Sequence, residues 1–464
     1  MRPSIRRAPR TATSPPPERA APTALHQRIL FSTSHPPPLQ ILHSSAHSTL
    51  DPLLLDFIAL ALRAYVTPWY NGGISRDPDK AFLAAVTSVL VHVIQALEVR
   101  LSALDWTELL VADLPSLLAQ HYQDWDLATE KAGNGGAHHL TAEQLFHRLQ
   151  PHLAIRLVSP VELSPSSSEH VQPEVDKLYL RTLVDHLLKL LLPPADYRAD
   201  TERAIVREIL VGVVFGSVFN RVAQPWFLHG LVAKQLEARE AARKAEAASR
   251  PARTEDASPL DKLVGAASTL PSIIGAVWST FSTLSKLVTA TAVPPHYASQ
   301  PPLHTSFFSL LLAVLPSSIF LSQLVHYLSL PFAFFSSFVN ALVFHFVTTR
   351  FATARTLEVV LDGAMRGMFP NDGWPAPKED DPDEEGQEDL RRRCEVALAR
   401  ALPDSLPSLL AVDPPAAGQD PRLVLSRHLL RPLSSHVANV HFFFLVVDLV
   451  VGKVFPELLS KAED

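Results

Sequence analysis

The sequence has a single cysteine, Cys394, in 464 residues. One thiol cannot form an internal disulfide, and a thiolate metal site needs more cysteines than this chain has. The first fifty residues also lack the apolar core of a secretory signal peptide. These absences are typical of a protein on the cytosolic side of a membrane.

Sequence motifs of catalysis are missing as well. The chain has no GxxxxGK phosphate loop, no GxSxG nucleophile elbow, no GxGxxG after a strand and no HExxH. Four histidines lie close together in sequence without a carboxylate or thiolate at ligand spacing, so we interpret them as polar positions: His138, His139, His147 and His152. We interpret His436 and His441 in the same way, and we expect no enzyme, no metal site and no cofactor.

Positive charge is not in excess either. With 41 basic and 47 acidic residues the net charge is -6, and no basic stripe occurs beyond the N-terminal tail. Proteins that bind nucleic acid generally show such a stripe. We therefore expect no nucleic-acid partner.

The most unusual absence is of charge itself. Between Lys286 and Arg350 there is no Asp, Glu, Lys or Arg. A membrane-spanning helix needs roughly twenty apolar residues, but Pro316 and Pro331 interrupt this run. After Phe332, small and polar residues recur three and four apart while phenylalanines occupy the other faces. The pattern fits a buried or lipid-lined helix, and alternatively a re-entrant or membrane-embedded hairpin.

Residues 175–215 carry the strongest helical pattern. Leucine and valine recur three and four apart in the first half, Pro193 and Pro194 interrupt it, and a second apolar stripe follows. The predicted stripe of the second helix is Ile205, Val206, Ile209, Leu210, Val213 and Val214. We predict two helices folded back on each other.

These residues also carry a family resemblance. VDKLYLRTLVDHLLKLLLP at residues 175–193, RAIVREIL at 203–210 and QPWF at 224–227 resemble the PXA (Phox-associated) domain of sorting nexins. The opening WY at residues 69–70 and the polar turn after it extend the resemblance over residues 51–232. It implies an all-helical module of endomembrane proteins, concerned with lipid binding or lipid transfer.

The flanking segments differ in character. Residues 1–50 form a basic tail rich in Pro and Ser that predicts disorder, with a mitochondrial transit peptide as the alternative. Residues 233–302 run from a charged helix through a linker to an amphipathic helix. The predicted membrane anchors of that helix are Ile273, Val277, Trp278 and Phe281. The alternative is that this helix closes the core of the next domain.

The C-terminal part, residues 303–464, resembles the nexin C-terminal domain. The resemblance lies in MFPNDGWP at residues 368–375, a helix through Arg391 to Leu402, and a closing helix ending in DLVVGKVFPEL at 448–458. In the closing helix we predict the packing face Phe442, Phe443, Leu445, Val446, Leu449 and Val450. The PX and RGS domains common in this family are not recognisable, so phosphoinositide recognition by a PX domain cannot be carried over.

Together these patterns predict an all-α protein in which the PXA and nexin C-like modules pack together and can hold a lipid. We expect a lipid-binding or lipid-transfer protein, or alternatively a membrane-embedded scaffold or tether without lipid cargo. The predicted lipid-binding residues are Phe334, Phe338, Leu342 and Phe346. The expected partners are the membrane surface and phospholipid, with phosphoinositide as one candidate. The expected location is the cytoplasmic face of endosomal, vacuolar or endoplasmic reticulum membranes, and alternatively the mitochondrion.

Overall fold

The structure is a computed structural model. It describes residues 24–32, 40–43, 49–75, 80–134, 140–158, 171–249, 282, 286, 293–294, 297, 302–316, 319–371, 373–375, 380–404, 406–410 and 420–459. The chain divides into two compact units. The smaller comprises Met1–Val91 and Glu358–Pro377, and the larger comprises His92–Leu357 and Lys378–Asp464.

The described residues are mostly helical with one short pair of strands, which confirms the predicted all-α class. The α-helices are α1 (Leu25–Leu30), α2 (Leu50–Ala61), α3 (Thr67–Gly73), α4 (Ala81–Ala103), α5 (Trp106–Glu108), α6 (Leu114–Gly133), α7 (Ala142–Leu149), α8 (Lys177–Leu191), α9 (Pro194–Arg198), α10 (Asp200–Ile209), α11 (Phe219–Val222), α12 (Pro225–Ser249), α13 (His304–Val314), α14 (Ile319–Phe334), α15 (Ser336–Phe346), α16 (Ala354–Met368), α17 (Glu384–Ala401), α18 (Leu406–Leu409), α19 (Pro421–Leu429) and α20 (His436–Val454). Segments of π-helix occupy Leu62–Val66, Leu109–Asp113, Leu210–Val218 and Val347–Phe351, and short 3₁₀ turns occupy Pro432–Ser434 and Pro456–Leu458.

One small sheet precedes α8, and the sequence pattern did not predict it. Strands β1 (Ile155–Val158) and β2 (Gln172–Val175) pair antiparallel, with Ile155 opposite Val175. Asp176 follows β2 directly, and its carboxylate accepts a hydrogen bond from the Leu178 amide at 2.7 Å. An aspartate in this position satisfies one of the free amides at a helix start. The hairpin therefore fixes where α8 begins.

The main core of the larger unit forms between α8 and α20. Leu180, Val184 and Leu188 of α8 are buried together with Phe444 of α20. Their spacing of four along α8 is the apolar stripe that the sequence predicts. Because α20 belongs to the C-terminal part of the chain, this core joins residues separated by more than 250 positions in sequence.

Helix α10 packs the other way round from the prediction. Arg203 and Arg207 turn towards α8, where both approach a carboxylate oxygen of Asp185 at 3.3 and 3.5 Å. The side chains of Ile205, Val206 and Ile209, predicted to be buried, are exposed instead. The ion pairs with α8 decide which face of α10 turns inward. The following π-helical segment changes the residue phase, which fits the burial of Val211 in the core.

The packing face of α20 also differs from the prediction. The buried residues are Val437, Ala438, Asn439, Val440, His441, Phe444 and Val454, so the start of the helix is buried on all sides. The predicted face, by contrast, is half-buried to exposed. Since almost every residue from 440 to 447 is apolar, hydropathy alone cannot select a face. The buried amide of Asn439 donates to the carbonyls of Ala223 and Leu433, each at 3.0 Å, and this fixes the orientation of the helix.

Part of the N-terminal segment is ordered in the smaller unit, contrary to the expectation of a disordered tail. In α1, the His26 ring lies 2.7 Å from the carboxylate of Asp56 in α2. The amides of Ile41 and Leu42 both donate to Asp51 at 3.2 Å. Two aspartates of α2 therefore hold residues that composition alone assigns to a tail. For residues 1–23, 33–39 and 44–48 the expectation of disorder stays a prediction.

A tight turn in the MFPNDGWP motif is held by Arg63 in the smaller unit. The Arg63 guanidinium donates to the carbonyl of Gly373 and lies 4.6 Å from the ring centre of Trp374. Gly373 has φ of +81°, and a Cβ added there would meet Arg63 and Leu60. Only glycine adopts this conformation at low cost.

We expect Gly373→Ala to destabilise the smaller unit by about 2 kcal/mol, from the positive φ and the close contact together. Thermal unfolding followed by far-UV circular dichroism measures the change. The matched control is Gly72→Ala, because that helical glycine has no neighbouring atom within 4 Å of an added Cβ. Equal melting temperatures for the two variants would contradict the role given to this turn.

Candidate functional site

Helices α14 and α15 form a sharply bent pair in the charge-free part of the chain. The angle between Ile319–Phe334 and Ser336–Phe351 is 89°. Pro331 lies in the last turn of α14, where it has no amide hydrogen to donate and crowds the preceding turn. Phe335 then leaves the helical conformation with φ of -101° and ψ of 29°. The proline and this residue together account for the bend.

The inner faces of the pair pack against other parts of the larger unit. Leu321 and Val325 of α14 are buried against Leu410 and Leu425. In α15, Asn340 accepts a hydrogen bond from the Leu303 amide at 3.1 Å and donates to the Tyr297 carbonyl at 3.2 Å. This buried amide belongs to the small and polar stripe seen in the sequence, so that stripe faces protein near Asn340.

The outer faces of the pair are exposed and apolar. We define the apolar corner as residues 330–335, all six of which are exposed and apolar. Phe334 is 83% exposed, and Ile319 at the start of α14 is 82% exposed. The further exposed aromatic and aliphatic side chains of the pair are Phe320, Tyr327, Leu328, Phe346 and Phe351. A soluble monomer rarely exposes so many neighbouring apolar residues without a function.

The bend separates the four predicted lipid-binding residues. Their spacing of four places them on one face of a straight helix, but Phe334 lies on α14 and the other three lie on α15. Phe338 and Leu342 are half-buried, whereas Phe346 is 54% exposed. Exposed side chains such as Phe334 and Phe346 do not line an enclosed channel. Phe334 and Phe346 instead lie on the protein surface.

The predicted membrane anchors Ile273, Val277, Trp278 and Phe281 lie outside the described residues. Their role stays a prediction. The same holds for most of the linker between α12 and α13.

Two single helices in the described part of the chain are long and apolar enough to cross a membrane: Ala81–Ala103 and His436–Val454. The bent pair would be a third candidate if its two arms were one broken span. Length and composition alone define these candidates. His436–Val454 is α20, whose buried Asn439 and His441 make polar contacts with the protein core.

Sequence reasoning missed a histidine cluster beside α20. His441 is fully buried, and its Nε2 lies 3.0 Å from Nδ1 of His147 on α7. His121 of α6 is also buried and packs edge-on against Phe146, as His441 does. Burial lowers the pKa of His441 to about 3 and the pKa of His121 to about 4. The apolar residues on either side of His441 were the available sequence signal.

A second histidine contact links the β-hairpin to α20. His152 Nε2 lies 2.8 Å from Asp448, and the Tyr179 hydroxyl donates to the same carboxylate at 2.9 Å. Among the described residues, no group of three or more His, Cys, Asp or Glu side chains could hold a metal ion. The arrangement is a polar contact of α20 with α8 and with the residues just before β1.

Comparison with known proteins assigns part of the chain to a family. Residues 47–235 match the model of the PXA domain. The chain is 30% identical over 169 residues to PXA domain protein 1 of Schizosaccharomyces pombe, which covers 36% of this chain and 30% of that protein. It is 26% identical over 190 residues to sorting nexin-13 of Mus musculus, covering 39% of this chain and 18% of the relative.

A third relative, sorting nexin-25 of Mus musculus, is 25% identical over 191 residues, which is 41% of this chain and 20% of the relative. The chain thus spans less than a third of the length of the curated relatives it matches. No solved structure matches it. The nexin C-terminal resemblance of residues 303–464 stays a prediction. The chain contains a PXA domain, as its sequence predicts, and through that domain it is related to the sorting nexins.

Proposed function

We propose that this protein is a non-enzymatic, lipid-binding membrane protein of endosomal, vacuolar or endoplasmic reticulum trafficking. The observation that carries the proposal is the charge-free, exposed apolar surface of α14 and α15. In this proposal the surface contacts the hydrocarbon of a phospholipid bilayer. Its relatives named as sorting nexins support a place in trafficking on the cytoplasmic face of such membranes.

The apolar corner is large enough to contribute measurably to binding. Fully burying a large apolar side chain gives about 1.5–3 kcal/mol. The four large side chains of the corner are roughly half exposed or more, so together they supply on the order of 4 kcal/mol. Before the entropy cost of association is subtracted, a free energy of that size corresponds to a dissociation constant of about 1 mM. The corner alone therefore supports reversible binding, and firmer attachment needs the rest of the exposed surface.

Bilayer contact is favoured over carriage of a lipid in an enclosed channel. Phe334 and Phe346, two of the four residues proposed to meet lipid, are exposed to solvent. A side chain that lines a closed lipid channel is covered by protein or by the bound chain. The second candidate function, a membrane-embedded scaffold or tether without lipid cargo, draws its support from the same exposure. Resistance to alkaline carbonate extraction would distinguish the scaffold from a reversibly bound protein.

We expect the purified chain to float with phosphatidylcholine vesicles in a density gradient, because the exposed surface of α14 and α15 carries no charge that demands anionic lipid. We expect Phe334→Ser combined with Phe335→Ser to reduce the floated fraction at least about tenfold, the equivalent of about 1.4 kcal/mol. Adding phosphoinositide to the vesicles tests whether that lipid contributes.

The matched control is Leu153→Ser combined with Leu178→Ser. Both leucines are large, apolar and highly exposed, but they lie at the β-hairpin and on α8. We expect this control to float like the unmodified chain. Equal loss of flotation in both double variants, or no flotation of the unmodified chain, would contradict the proposed function.

A further inference from the structure

The attachment points of the bent pair limit how deeply it can enter a membrane. On α14 the last buried residue before the corner is Val325, nine positions before Phe334. On α15 the first is Asn340, five positions after Phe335. At 1.5 Å per residue the two arms extend about 14 Å and about 8 Å beyond these residues. On α14 the Phe332 ring still packs against His304 and Phe308 of α13. The bilayer hydrocarbon is about 30 Å thick, so the arms reach at most about half-way.

The polarity along α14 agrees with this depth. The residues from Tyr327 to the corner are mainly exposed and apolar, whereas Ser322, Gln323 and His326 on the outer face before them are exposed and polar. Tyr327 itself is 68% exposed. Tyrosine is enriched at the boundary between membrane and water, where its ring contacts hydrocarbon and its hydroxyl meets water. Tyr327 therefore fits the level of the headgroups.

The composition of the surface favours lipid over a protein partner. A protein interface has a polar rim and generally includes charged side chains at its edge. Here Lys286 and Arg350 are the nearest charged residues along the chain on either side. A leaflet of phospholipid hydrocarbon requires no complementary charge.

We propose that residues 327–335 form a wedge that enters one leaflet of a phospholipid bilayer and returns to the same side without crossing it. This inference rests on the proposed function and adds the depth and topology of insertion. Both ends of the bent pair, Ile319 and Phe351, then remain on the side from which the protein binds.

Labelling of one introduced cysteine at a time tests this topology in the full chain. The native thiol of Cys394 is fully buried, and burial raises its pKa to about 11, so we expect it to take no label under native conditions. The environment-sensitive fluorophore NBD is attached to Phe334→Cys, Ile319→Cys, Phe351→Cys or Leu153→Cys. Each protein is added to phosphatidylcholine vesicles, with brominated acyl chains as quenchers of inserted label and dithionite as a quencher in the outer water. Leu330→Cys replaces Phe334→Cys if the latter does not fold.

We expect brominated chains to quench the label at position 334, and dithionite to leave it largely intact. We expect dithionite to bleach the labels at positions 319, 351 and 153 rapidly. Protection of only one of the positions 319 and 351 would indicate a spanning pair, which overturns the wedge and leaves membrane binding standing. A label at 334 already shielded without vesicles would indicate a second copy of the chain on this surface, which also overturns it. If no position responds to vesicles and the protein does not float, the proposed function fails with it.

Discussion

Lowering the pH from about 7.5 to about 5 is expected to reduce the stability of the larger unit by several kcal/mol. The cause is a set of neutral histidines in the fold, of which His121 and His441 are buried and His436 is half-buried. Burial lowers the pKa of His121 and His436 to about 4 and the pKa of His441 to about 3. An unfolded histidine keeps a pKa near 6.5.

The direction follows from proton uptake. Between about pH 6.5 and about pH 4 these histidines bind protons in the unfolded chain but not in the folded chain. Stability is therefore complete above about pH 6.5 and falls steadily through that window. At about pH 5 each such histidine costs roughly 2 kcal/mol, since each pH unit is worth about 1.4 kcal/mol. Three of them together approach the whole stability of a typical domain, about 5–15 kcal/mol.

Urea unfolding at the two pH values, followed by far-UV circular dichroism, measures this loss. In His441→Phe the aromatic ring stays but cannot bind a proton. We expect the difference in free energy of unfolding between the two pH values to shrink by about 2 kcal/mol, whatever the variant's stability at neutral pH. The control is His92→Gln, because His92 is exposed on α4. An unchanged pH dependence in His441→Phe would contradict the assignment.

Replacing Arg431 by methionine is expected to cost the larger unit about 3 kcal/mol. The guanidinium pairs with both carboxylate oxygens of Asp126 on α6. It also donates to the carbonyls of Ala313 and Val314 at the end of α13, at 2.9 and 3.0 Å. One side chain thus binds α6 and satisfies the last carbonyls of α13. Methionine fills the space of the aliphatic part of the Arg431 side chain but has no hydrogen-bond donor.

The expected cost is below that of a fully buried ion pair, because the Asp126 side chain is 45% exposed and can regain water. Urea titration at neutral pH gives the measurement. Arg156→Met is the control, since the Arg156 side chain is 73% exposed and its contact with Asp176 is long, at 3.5 Å. Surface pairs of that kind contribute about 0–1 kcal/mol. Similar losses in both variants would show that Arg431 has no special role.

The fold class and α8 could be predicted from sequence because leucine and valine at spacings of three and four identify a buried face. The same rule was wrong for α10. There, Arg203 and Arg207 make ion pairs with Asp185 of a neighbouring helix, and a pairing between elements leaves no trace in the spacing of one element. In α20 nearly all residues are apolar, so only the partners of Asn439 and His441 decide which face is buried.

The sequence indicated the candidate site by a lack of charged residues. The absence of charge from residue 287 to 349 singled out the segment, and the sequence left both a buried helix and a hairpin open. The bend at Phe335 decides how the phenylalanines are displayed, and it depends on backbone geometry that a periodic pattern cannot encode. Pro331 was the one local signal of that bend.

Photo-crosslinking from lipid to protein tests most directly whether the apolar surface of α14 and α15 meets the bilayer. Vesicles contain a phosphatidylcholine with a diazirine near the end of one acyl chain, and the labelled peptides are mapped after illumination with the bound chain. The account predicts crosslinks concentrated in residues 327–335, and their loss when Phe334 and Phe335 are both replaced by serine. Crosslinks that map to other described helices, with residues 327–335 unlabelled, would contradict it.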